Sequence, residues 1–244
     1  GSIDEQAELR EKGLEAIDNP GDPASLQGQL AQSDIDYLEE VYNLKVRQAD
    51  ERLGQFLSQV RSMGLMDNTV IAVISDHGDE FMEHGGLDHG ATLYQEQVEV
   101  VMMLRFPGYA RRHDVPTMVR TIDLFPTVFD AMGITGPVGV DGVSLLPLLR
   151  GEAMDIEAYA ETDYRLFVHQ RMVREGKHKL ILDLLDGKRE LYDLERDPGE
   201  QDDISSQDPR RSYEMEQKLR RWMDASKTNP QDYLGLEENP ISLF

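Results

Sequence analysis

Two apolar runs separated by a long polar loop constrain the fold of this chain more than any other feature of its sequence. The runs, residues 70–74 and 98–106, are bounded by turn-forming residues and predict two buried strands. The loop between them opens with Asp76 and His77. Ligand sites of α/β sheets lie just beyond the carboxyl ends of strands. A carboxylate and an imidazole that directly follow a strand are therefore well placed to hold a metal.

The loop also concentrates titratable side chains. Three of the six histidines, His77, His84 and His89, lie within it, among glycines that let the backbone turn tightly. His84 belongs to a Glu-His-Gly turn, and we expect it to shape the loop rather than to act on a ligand. The acids of the loop are expected to be solvated or to support the site rather than to act in catalysis: Asp79, Glu80 and Glu83.

Composition narrows the range of partners. The formal net charge is −22, from 47 acidic and 25 basic residues. It argues against nucleic acid and anionic membranes as partners, because both are negatively charged and bind positively charged protein surfaces. The chain has no cysteine, which excludes disulfides, thiolate metal sites and a cysteine nucleophile within it. No apolar run approaches the ~20 residues that span a bilayer. Because Gly1 and Ser2 look like the remnant of a cloning site, we expect the natural N-terminus upstream of residue 3 and predict no compartment.

Changes in pattern divide the chain into four segments. Residues 1–32 contain a Pro- and Gly-rich break and are predicted to form a linker or peripheral arm. Residues 33–154 have the helix and strand patterns of a layered α/β domain. Residues 155–226 change to short strand-like runs before one last helix, which predicts a small α+β subdomain. Residues 227–244 lack periodicity and are predicted to be a loosely docked tail.

Within the second segment, apolar spacings of three and four predict a long amphipathic helix over residues 33–63, with Ser33 as its N-cap. The helix leads directly into the strand at 70–74, a unit typical of layered α/β domains. A further helix is predicted to begin at Asp123 as its cap. Its buried stripe is predicted to consist of four residues: Leu124, Val128, Phe129 and Met132.

The third segment shows a strand rhythm interrupted by glycine turns. Strands are predicted over residues 166–173, 179–183 and 190–194, with turns at Gly176 and Gly187. An amphipathic helix over about residues 209–225 follows. These patterns predict a small antiparallel sheet with one helix packed against it.

Five motifs, in this order along the chain, resemble the sulfatase family, within the alkaline-phosphatase-like superfamily of metal-dependent hydrolases. They are DNTVIAVISDHGDEFMEHG at 67–85, HGATLYQEQVEV at 89–100, TIDLFPTVFDAMGI at 121–134, VDGVSLLPLLRG at 140–151 and ELYDLERDPGEQDDI at 190–204. The resemblance covers residues 34–220. It implies the second half of the layered α/β catalytic domain of that family, followed by its C-terminal subdomain.

The resemblance implies roles for three residues. Asp76 and His77 match the late pair of metal ligands of the family. His89 matches the position, commonly Lys or His, that contacts the transferring sulfuryl or phosphoryl group and the leaving oxygen. The implied cofactor is a divalent metal, Ca, Mn or Zn, and an imidazole ligand favours Mn or Zn over Ca. No role is implied for the remaining histidines: His113, His169 and His178.

One part of the family pattern is absent from this sequence. Family members carry paired Asp ligands and a nucleophile motif C/S-x-P-S-R, whose Cys or Ser becomes formylglycine, and this chain contains neither. The missing N-terminal half is therefore the implied partner. Two ligands from one loop do not complete a site that takes about six, so we expect incomplete metal binding and no activity from the chain alone.

Two hypotheses of function stay open. In the first, the chain is the C-terminal part of a metal-dependent sulfuric ester hydrolase, or of a phosphate or phosphonate ester hydrolase of the same superfamily. In the second, it is a non-catalytic binding or assembly module. Half of a layered domain leaves a strand edge uncovered, and we expect homo-oligomers or aggregates through that edge.

Overall fold

The computed structural model describes residues 30–108, 112–136, 139–164 and 168–226. The chain divides into two compact units between Ile156 and Glu157, and these are called unit 1 and unit 2 below. The predicted tail lies outside the described residues, as does the predicted arm except for its last three residues. In the described part of the chain, no helix has both the length and the apolar character needed to cross a membrane.

Unit 1 opens with α1 (Gln32–Ser62), the long helix that the apolar spacing predicts. The predicted cap at Ser33 is wrong, because Ala31 occupies the N-cap position. The first turn is closed instead by the Asp34 carboxylate, which accepts the backbone N–H of Ala31 at 2.9 Å. A carboxylate in the first turn is favourable because it faces the positive end of the helix dipole.

The amphipathic stripe of α1 is only partly covered. None of its side chains is buried, and Leu44, Val46 and Phe56 are exposed. Its amino-terminal part does pack, with Ile35 and Leu38 against the small cluster that contains Leu87. The pattern therefore predicts the helix correctly, while most of its apolar face lies uncovered within the described residues.

The two predicted strands pair as an antiparallel ribbon. Strand β1 (Ile71–Ile74) runs against β4 (Met102–Arg105), and both are shorter than the apolar runs. The prediction of full burial is wrong, since Ile74 and Met103 are exposed while their partners across the ribbon, Met102 and Val73, are half-buried. An apolar run indicates that a strand can be buried, but burial requires covering elements, and a two-stranded ribbon has few of them.

Short elements make up the rest of unit 1. A 3₁₀ turn (Thr121–Asp123) leads into α3 (Leu124–Ala131), and α4 (Leu146–Leu149) follows. Between β1 and β4 lie the hairpin strands β2 (Glu80–Phe81) and β3 (Leu87–Asp88) and the single turn of α2 (Gln95–Val98).

Asp123 has a different role from the predicted helix cap. It is fully buried at the N-cap of α3 without capping it, and its carboxylate instead accepts hydrogen bonds from the Arg120 guanidinium (2.7 Å) and the Val143 N–H (3.0 Å). Close packing at Gly142 brings these segments together, because a Cβ there would lie 2.0 Å from the Ile122 carbonyl oxygen. Asp123 therefore joins the start of α3 to the segment that leads into α4.

The predicted buried stripe of α3 is wrong in its residues. Thr127 is the buried residue of this helix, Met132 just beyond its end is exposed, and the other three predicted residues are half-buried. The Thr127 hydroxyl accepts the N–H of Leu145 at 2.9 Å. A polar side chain takes the central position because it satisfies a backbone group of the next segment, which the apolar pattern does not encode.

Unit 2 is a four-stranded antiparallel meander with one helix. Its strands follow one another in space in chain order, β5 (Glu157–Tyr164), β6 (Val168–Glu175), β7 (His178–Asp183) and β8 (Arg189–Asp193), and α5 (Pro209–Ser226) packs on the sheet. The structure confirms the predicted small antiparallel sheet with a C-terminal helix and adds β5 as its first strand. Both predicted glycine turns are present, and Gly176 and Gly187 have the positive φ angles that favour glycine.

The core of unit 2 is one continuous cluster of buried apolar side chains. Its members are each at most 4% exposed: Val173, Leu180, Leu182, Leu191, Met215, Leu219 and Met223. Two fully buried charges, Lys179 and Glu200, pair at 2.7 Å. At the edge of this core, the Tyr159 ring stacks on Trp222 with ring centroids 4.9 Å apart.

Candidate functional site

The loop that carries the predicted site is tied to the sheet at its base. Ser75 donates its N–H to the Val101 carbonyl oxygen at 3.1 Å, and the Val101 N–H donates to Ser75 Oγ at 2.9 Å. These bonds extend the β1–β4 pairing by one residue. Asp76 and His77 therefore leave the sheet where pairing stops, at the carboxyl end of β1, as the sequence predicts.

Gly78 turns the loop against α2. A Cβ atom at this position would lie 2.1 Å from the Glu96 carbonyl oxygen, a distance that no side chain tolerates. The Gly78 N–H donates to the Gln97 carbonyl oxygen at 3.0 Å. Any larger residue would push the segment that carries Asp76 and His77 away from α2.

The His77 imidazole is oriented by its own backbone neighbour. Its Nδ1 lies 2.9 Å from the Gly78 carbonyl oxygen, which can only accept, so Nδ1 carries the proton. The other nitrogen, Nε2, lies 3.7 Å from Asp76 Oδ2. The unprotonated nitrogen and the carboxylate therefore lie side by side, as two ligands of one cation would.

Asp76 is the most exposed member of the pair, with 88% of its side chain accessible to solvent. The backbone N–H groups of Asp76 and His77, followed by the nearby imidazoles, hold the pKa of the Asp76 carboxyl below its ordinary value of 3.8. The group is therefore charged at neutral pH and accessible to a cation.

His89 is held by two carboxylates. Its Nδ1 lies 2.8 Å from Asp79 Oδ1 and 2.8 Å from Asp88 Oδ1, so Nδ1 carries a proton and the ring orientation is set. Asp88 takes a positive φ angle of 77°, which places its carboxylate beside the ring that follows it. Nε2 is then the nitrogen that His89 can present to a ligand.

The two imidazoles meet in one cluster. The His77 and His89 ring centroids are 3.7 Å apart with the planes tilted by 30°. One ligand atom from each of His77, Asp79 and His89 lies within 4.8 Å of the other two. The structure thus brings together the three residues predicted from the sequence, Asp76, His77 and His89, and adds Asp79 as the carboxylate between the imidazoles.

A second cluster of side chains, His84, Tyr94 and Glu96, lies in the interior of the same loop. His84 Nδ1 lies 2.5 Å from Glu96 Oε1, and the His84 ring stacks on Tyr94 with centroids 3.6 Å apart. His84 and Glu96 are largely buried. These contacts agree with the prediction that His84 shapes the loop.

Glu80 is fully buried, so of its two expected roles, solvated or supporting the site, only the supporting one agrees with the structure. Its carboxylate accepts hydrogen bonds from the backbone N–H groups of His84 (3.1 Å) and Gly86 (2.6 Å) and from the Gln97 amide (2.8 Å). A carboxylate with this many donors organises the loop without contacting a ligand. Burial of an acid in an acid-rich loop is decided by tertiary contacts, and the sequence pattern carries no signal for it.

Two acids hold the His89 ring. Asp79 does so in the supporting role expected of it, and Asp88 is a residue for which the sequence analysis predicts no role. For Asp88 the sequence does contain a signal, because it directly precedes His89 and Gly90 allows a tight turn there. For Gln97 no such signal exists.

The remaining histidines of the described residues lie apart from this cluster in the sequence, and two of them belong to unit 2. His169 is buried and its Nδ1 pairs with Asp163 Oδ1 at 2.7 Å. At His178, burial and then the charge of Arg211 lower the pKa of the imidazole. Neither arrangement suggests a ligand site, which agrees with the absence of an implied role.

Comparison with known proteins gives consistent results. A family model described as Sulfatase matches residues 18–134, and one described as N-sulphoglucosamine sulphohydrolase, C-terminal, matches residues 82–229. Arylsulfatase K of Mus musculus is 28% identical over 206 residues, covering 79% of this chain and 37% of the relative. Delta 4,5-hexuronate-2-O-sulfatase of Bacteroides thetaiotaomicron is 32% identical over 155 residues, covering 59% of this chain and 32% of the relative.

Solved structures show the same fold. A putative sulfatase from Bacteroides thetaiotaomicron superposes with a TM-score of 0.74 at 24% identity, covering 87% of this chain and 47% of that one. A structure in complex with D-glucosamine-2-N,6-O-disulfate superposes with a TM-score of 0.63 at 27% identity, covering 77% and 40%. A phosphonate monoester hydrolase from Silicibacter pomeroyi shares the fold alone, with a TM-score of 0.68 at 24% identity and coverage of 82% and 43%.

The fold, the Asp-His pair at the end of β1 and these similarities define a chain of the alkaline-phosphatase-like superfamily of metal-dependent hydrolases. Within that superfamily, the chain belongs to the sulfatase family. It spans a little over a third of the length of the curated arylsulfatase K relatives that it matches.

Proposed function

We propose that this chain forms one wall of the active site of a sulfatase-type sulfuric ester hydrolase. Asp76 and His77 hold the divalent metal, and His89 contacts the sulfuryl group and the leaving oxygen. The observation that carries the proposal is the common orientation of the two imidazoles. In both, Nδ1–H is held by an acceptor of the loop, which leaves Nε2 for a ligand.

The residues fit a divalent cation. An imidazole that ligates a metal generally donates its other N–H to a carbonyl or a carboxylate, and His77 does so to Gly78. Asp76 adds a charged oxygen next to Nε2. A mixed nitrogen and oxygen set favours Mn or Zn over Ca. A cation bound there would stabilise negative charge on the nonbridging sulfate oxygens.

His89 suits the contact with the leaving group. The carboxylates of Asp79 and Asp88 hold Nδ1–H and set the orientation of the ring. A proton on Nε2 can then stabilise the charge that develops on the departing oxygen, or pass to it. Asp79 and Asp88 orient the ring and take no part in bond breaking.

A nucleophile has to come from outside this sequence, because the chain contains no C/S-x-P-S-R motif. The proposal therefore assigns the nucleophile and the other metal ligands to the N-terminal half of the catalytic domain. It follows that the chain alone is inactive towards sulfate esters.

Metal titration tests the ligand pair. The full chain is titrated with Mn²⁺ and with Zn²⁺, and binding is followed by calorimetry. We expect weak binding that Asp76→Ala and His77→Ala each reduce by at least about tenfold, the scale expected for the loss of groups that hold a metal. Asp186→Ala, which removes an acid from a turn in unit 2, is the matched control. Equal binding by Asp76→Ala and the unsubstituted chain would overturn the assignment.

An activity assay tests the need for the missing half. The purified chain is incubated with an aryl sulfate and an aryl phosphate, and no turnover above background is expected. Turnover of either ester that Asp76→Ala abolishes would show that the chain is a complete enzyme, contrary to the proposal.

Two alternatives to this proposal remain to be weighed. The likeness to phosphonate monoester hydrolases concerns the fold, whereas the named relatives at the sequence level are sulfatases, which favours sulfate over phosphate or phosphonate. A non-catalytic binding or assembly module is favoured by the absent nucleophile motif. The coding sequence upstream of residue 3 discriminates: paired Asp codons and a C/S-x-P-S-R motif support the enzyme, and a natural start near this point supports the module.

A further inference from the structure

The proposed metal-binding pair and His89 come from separate stretches of the loop, and Gln97 is hydrogen-bonded to both stretches. Gln97 accepts the Gly78 N–H through its main-chain carbonyl at 3.0 Å. Through its side-chain carbonyl it accepts the Gly90 N–H at 2.8 Å. Gly78 follows His77 and Gly90 follows His89, so Gln97 is bonded to the backbone next to each imidazole.

The orientation of the Gln97 amide is set by a buried acid. Its Nε2 donates to Glu80 Oε2 at 2.8 Å, while Oε1 accepts from Gly90 and, at 3.3 Å, from the Thr92 N–H. A rotated amide would place its NH₂ group against two N–H donors and its oxygen against a carboxylate. Only one orientation therefore satisfies all partners.

Glu80 is in turn fastened to the hairpin between β2 and β3. It is 0% exposed, and its donors at His84, Gly86 and Gln97 are uncharged backbone or amide groups. Gly86 leaves room for the carboxylate, since a Cβ there would lie 2.8 Å from Glu80 Oε2. The acid is thus held from several sides and can in turn hold the Gln97 amide.

We infer that Glu80 and Gln97 are positioning residues that set the separation between the metal-binding pair and His89. Glu80 orients the Gln97 amide, and Gln97 ties the backbone beside His77 to the backbone beside His89. The inference rests on the proposed function for its catalytic meaning. The geometry that it describes, with His77 and His89 rings 3.7 Å apart, needs neither metal nor substrate.

Histidine NMR on the full chain tests this role. In ¹⁵N-labelled protein, long-range proton–nitrogen spectra show for each imidazole which ring nitrogen carries the proton. Gln97→Met keeps the volume of the side chain but removes its three hydrogen bonds, to Glu80, Gly90 and Thr92. We expect the ring signals of His89 to shift and broaden, while those of His77 shift less because the main-chain bond from Gly78 remains.

A second variant changes Glu80, the partner of the Gln97 amide. Glu80→Gln preserves size and burial but turns an NH₂ group towards the Gln97 amide, which has to rotate and lose its bond to Gly90. We expect the same shift of the His89 signals as in Gln97→Met. Two chemically different changes that move one ring identify a positioning role, whereas a general loss of stability would move signals throughout the loop.

The controls separate positioning from folding. Gln95→Ala changes an amide of the same helical turn whose bond goes to Glu99 at the surface, and should leave His89 unchanged. His169, paired with Asp163 in unit 2, is the internal reference and should not move in any variant. Unchanged His89 signals in Gln97→Met and Glu80→Gln, or an equal change in Gln95→Ala, would overturn the inference.

The NMR results on His89 can be interpreted whatever the metal titration shows. Loss of metal binding on Asp76→Ala tests the proposed function, and the NMR signals test the positioning role in the absence of metal. Failure of one therefore leaves the other standing.

Discussion

The two units of this chain are stabilised by different interactions. Unit 2 has a core whose residues are at most 4% exposed, and two of its fully buried charges, Lys179 and Glu200, are paired with each other. In unit 1, no side chain of α1 is buried, and the ribbon of β1 and β4 exposes Ile74 and Met103. The functional loop of unit 1 depends on hydrogen bonds around Glu80 and Gln97.

The difference shows that apolar side chains are buried only where other elements cover them. Unit 2 contains both the sheet and the helix that covers it, so its apolar side chains have partners within the unit. Unit 1 contains amphipathic elements whose covering surfaces are missing from the described residues. Polar networks with fixed geometry can order a loop without a large core, because each buried polar group requires its partner.

The largest expected effect concerns the buried ion pair of unit 2. Lys179→Met leaves the Glu200 carboxylate buried without its cation, which should lower the free energy of unfolding by ~3–5 kcal/mol. The transition is followed by the fluorescence of Trp222, the sole tryptophan, which stacks on Tyr159 in unit 2. The double variant Lys179→Met/Glu200→Gln should recover part of the loss. A single variant as stable as the unsubstituted chain would show that unit 2 does not depend on this pair.

The next effect concerns the apolar core. Leu191→Ala empties a site that is 0% exposed and should cost ~2–5 kcal/mol, measured by denaturant unfolding with Trp222 as the probe. Leu185→Ala makes the same substitution at a position that is 52% exposed, and should change stability by less than ~0.5 kcal/mol. Similar losses in the two variants would contradict the packed core that distinguishes unit 2.

A smaller effect is expected on the exposed ribbon of unit 1. The exposed strand edge and apolar side chains should cause the chain to self-associate at high micromolar concentration, as seen by light scattering. Two exposed residues, Val101 just before β4 and Met103 within it, are replaced together by lysine. Val101→Lys with Met103→Lys should raise the concentration needed for association by about tenfold or more, because each apolar side chain buried contributes ~1.5–3 kcal/mol. The Trp222 transition should not move.

Leu185→Lys, which places one lysine on an exposed position of unit 2, is compared with the single variant Met103→Lys and serves as the control for the ribbon. It should leave association unchanged. A monomeric chain at high micromolar concentration would show that the uncovered apolar surface of unit 1 does not drive association.

The smallest effect is the pH dependence of a surface contact in unit 2. Lys218 Nζ lies 2.5 Å from Glu157 Oε1 and 2.7 Å from Glu175 Oε1. The hydrogen bond from Lys218 holds the pKa of Glu157 below its ordinary value of 4.5. A folded pKa below the unfolded one means that the contribution is fully present above about pH 4.5 and is lost as the pH falls through the folded pKa.

Glu157→Gln should therefore lower the melting temperature of unit 2 slightly at pH 7, and the difference from the unsubstituted chain should shrink on acidification below the ordinary pKa. Thermal unfolding at a series of pH values measures this. A difference that grows as the pH falls would contradict the assigned direction of the pKa change.

Much of the candidate site could be predicted from the sequence. An apolar run followed by Asp76 and His77 places a ligand pair at the end of a strand, because strand and loop signals are local. His89 could be predicted only through the resemblance to a family. The contact of Asp79 with His89 and the role of Gln97 could not be predicted, because each depends on how the loop folds back after Gly78 and Gly90.

The sequence by itself determined the order of the elements, the position of α1, the meander of unit 2 and the placement of Asp76 and His77 beyond β1. These follow from periodicity, turn residues and chain order, all of which act over a few residues. Tertiary structure alone decided that Glu80 is buried, that Thr127 replaces an apolar stripe in α3, and that the ribbon of β1 and β4 is partly exposed. The physical reason is that an apolar pattern records which faces can be buried, whereas burial itself depends on which surfaces and hydrogen-bond partners the rest of the molecule supplies.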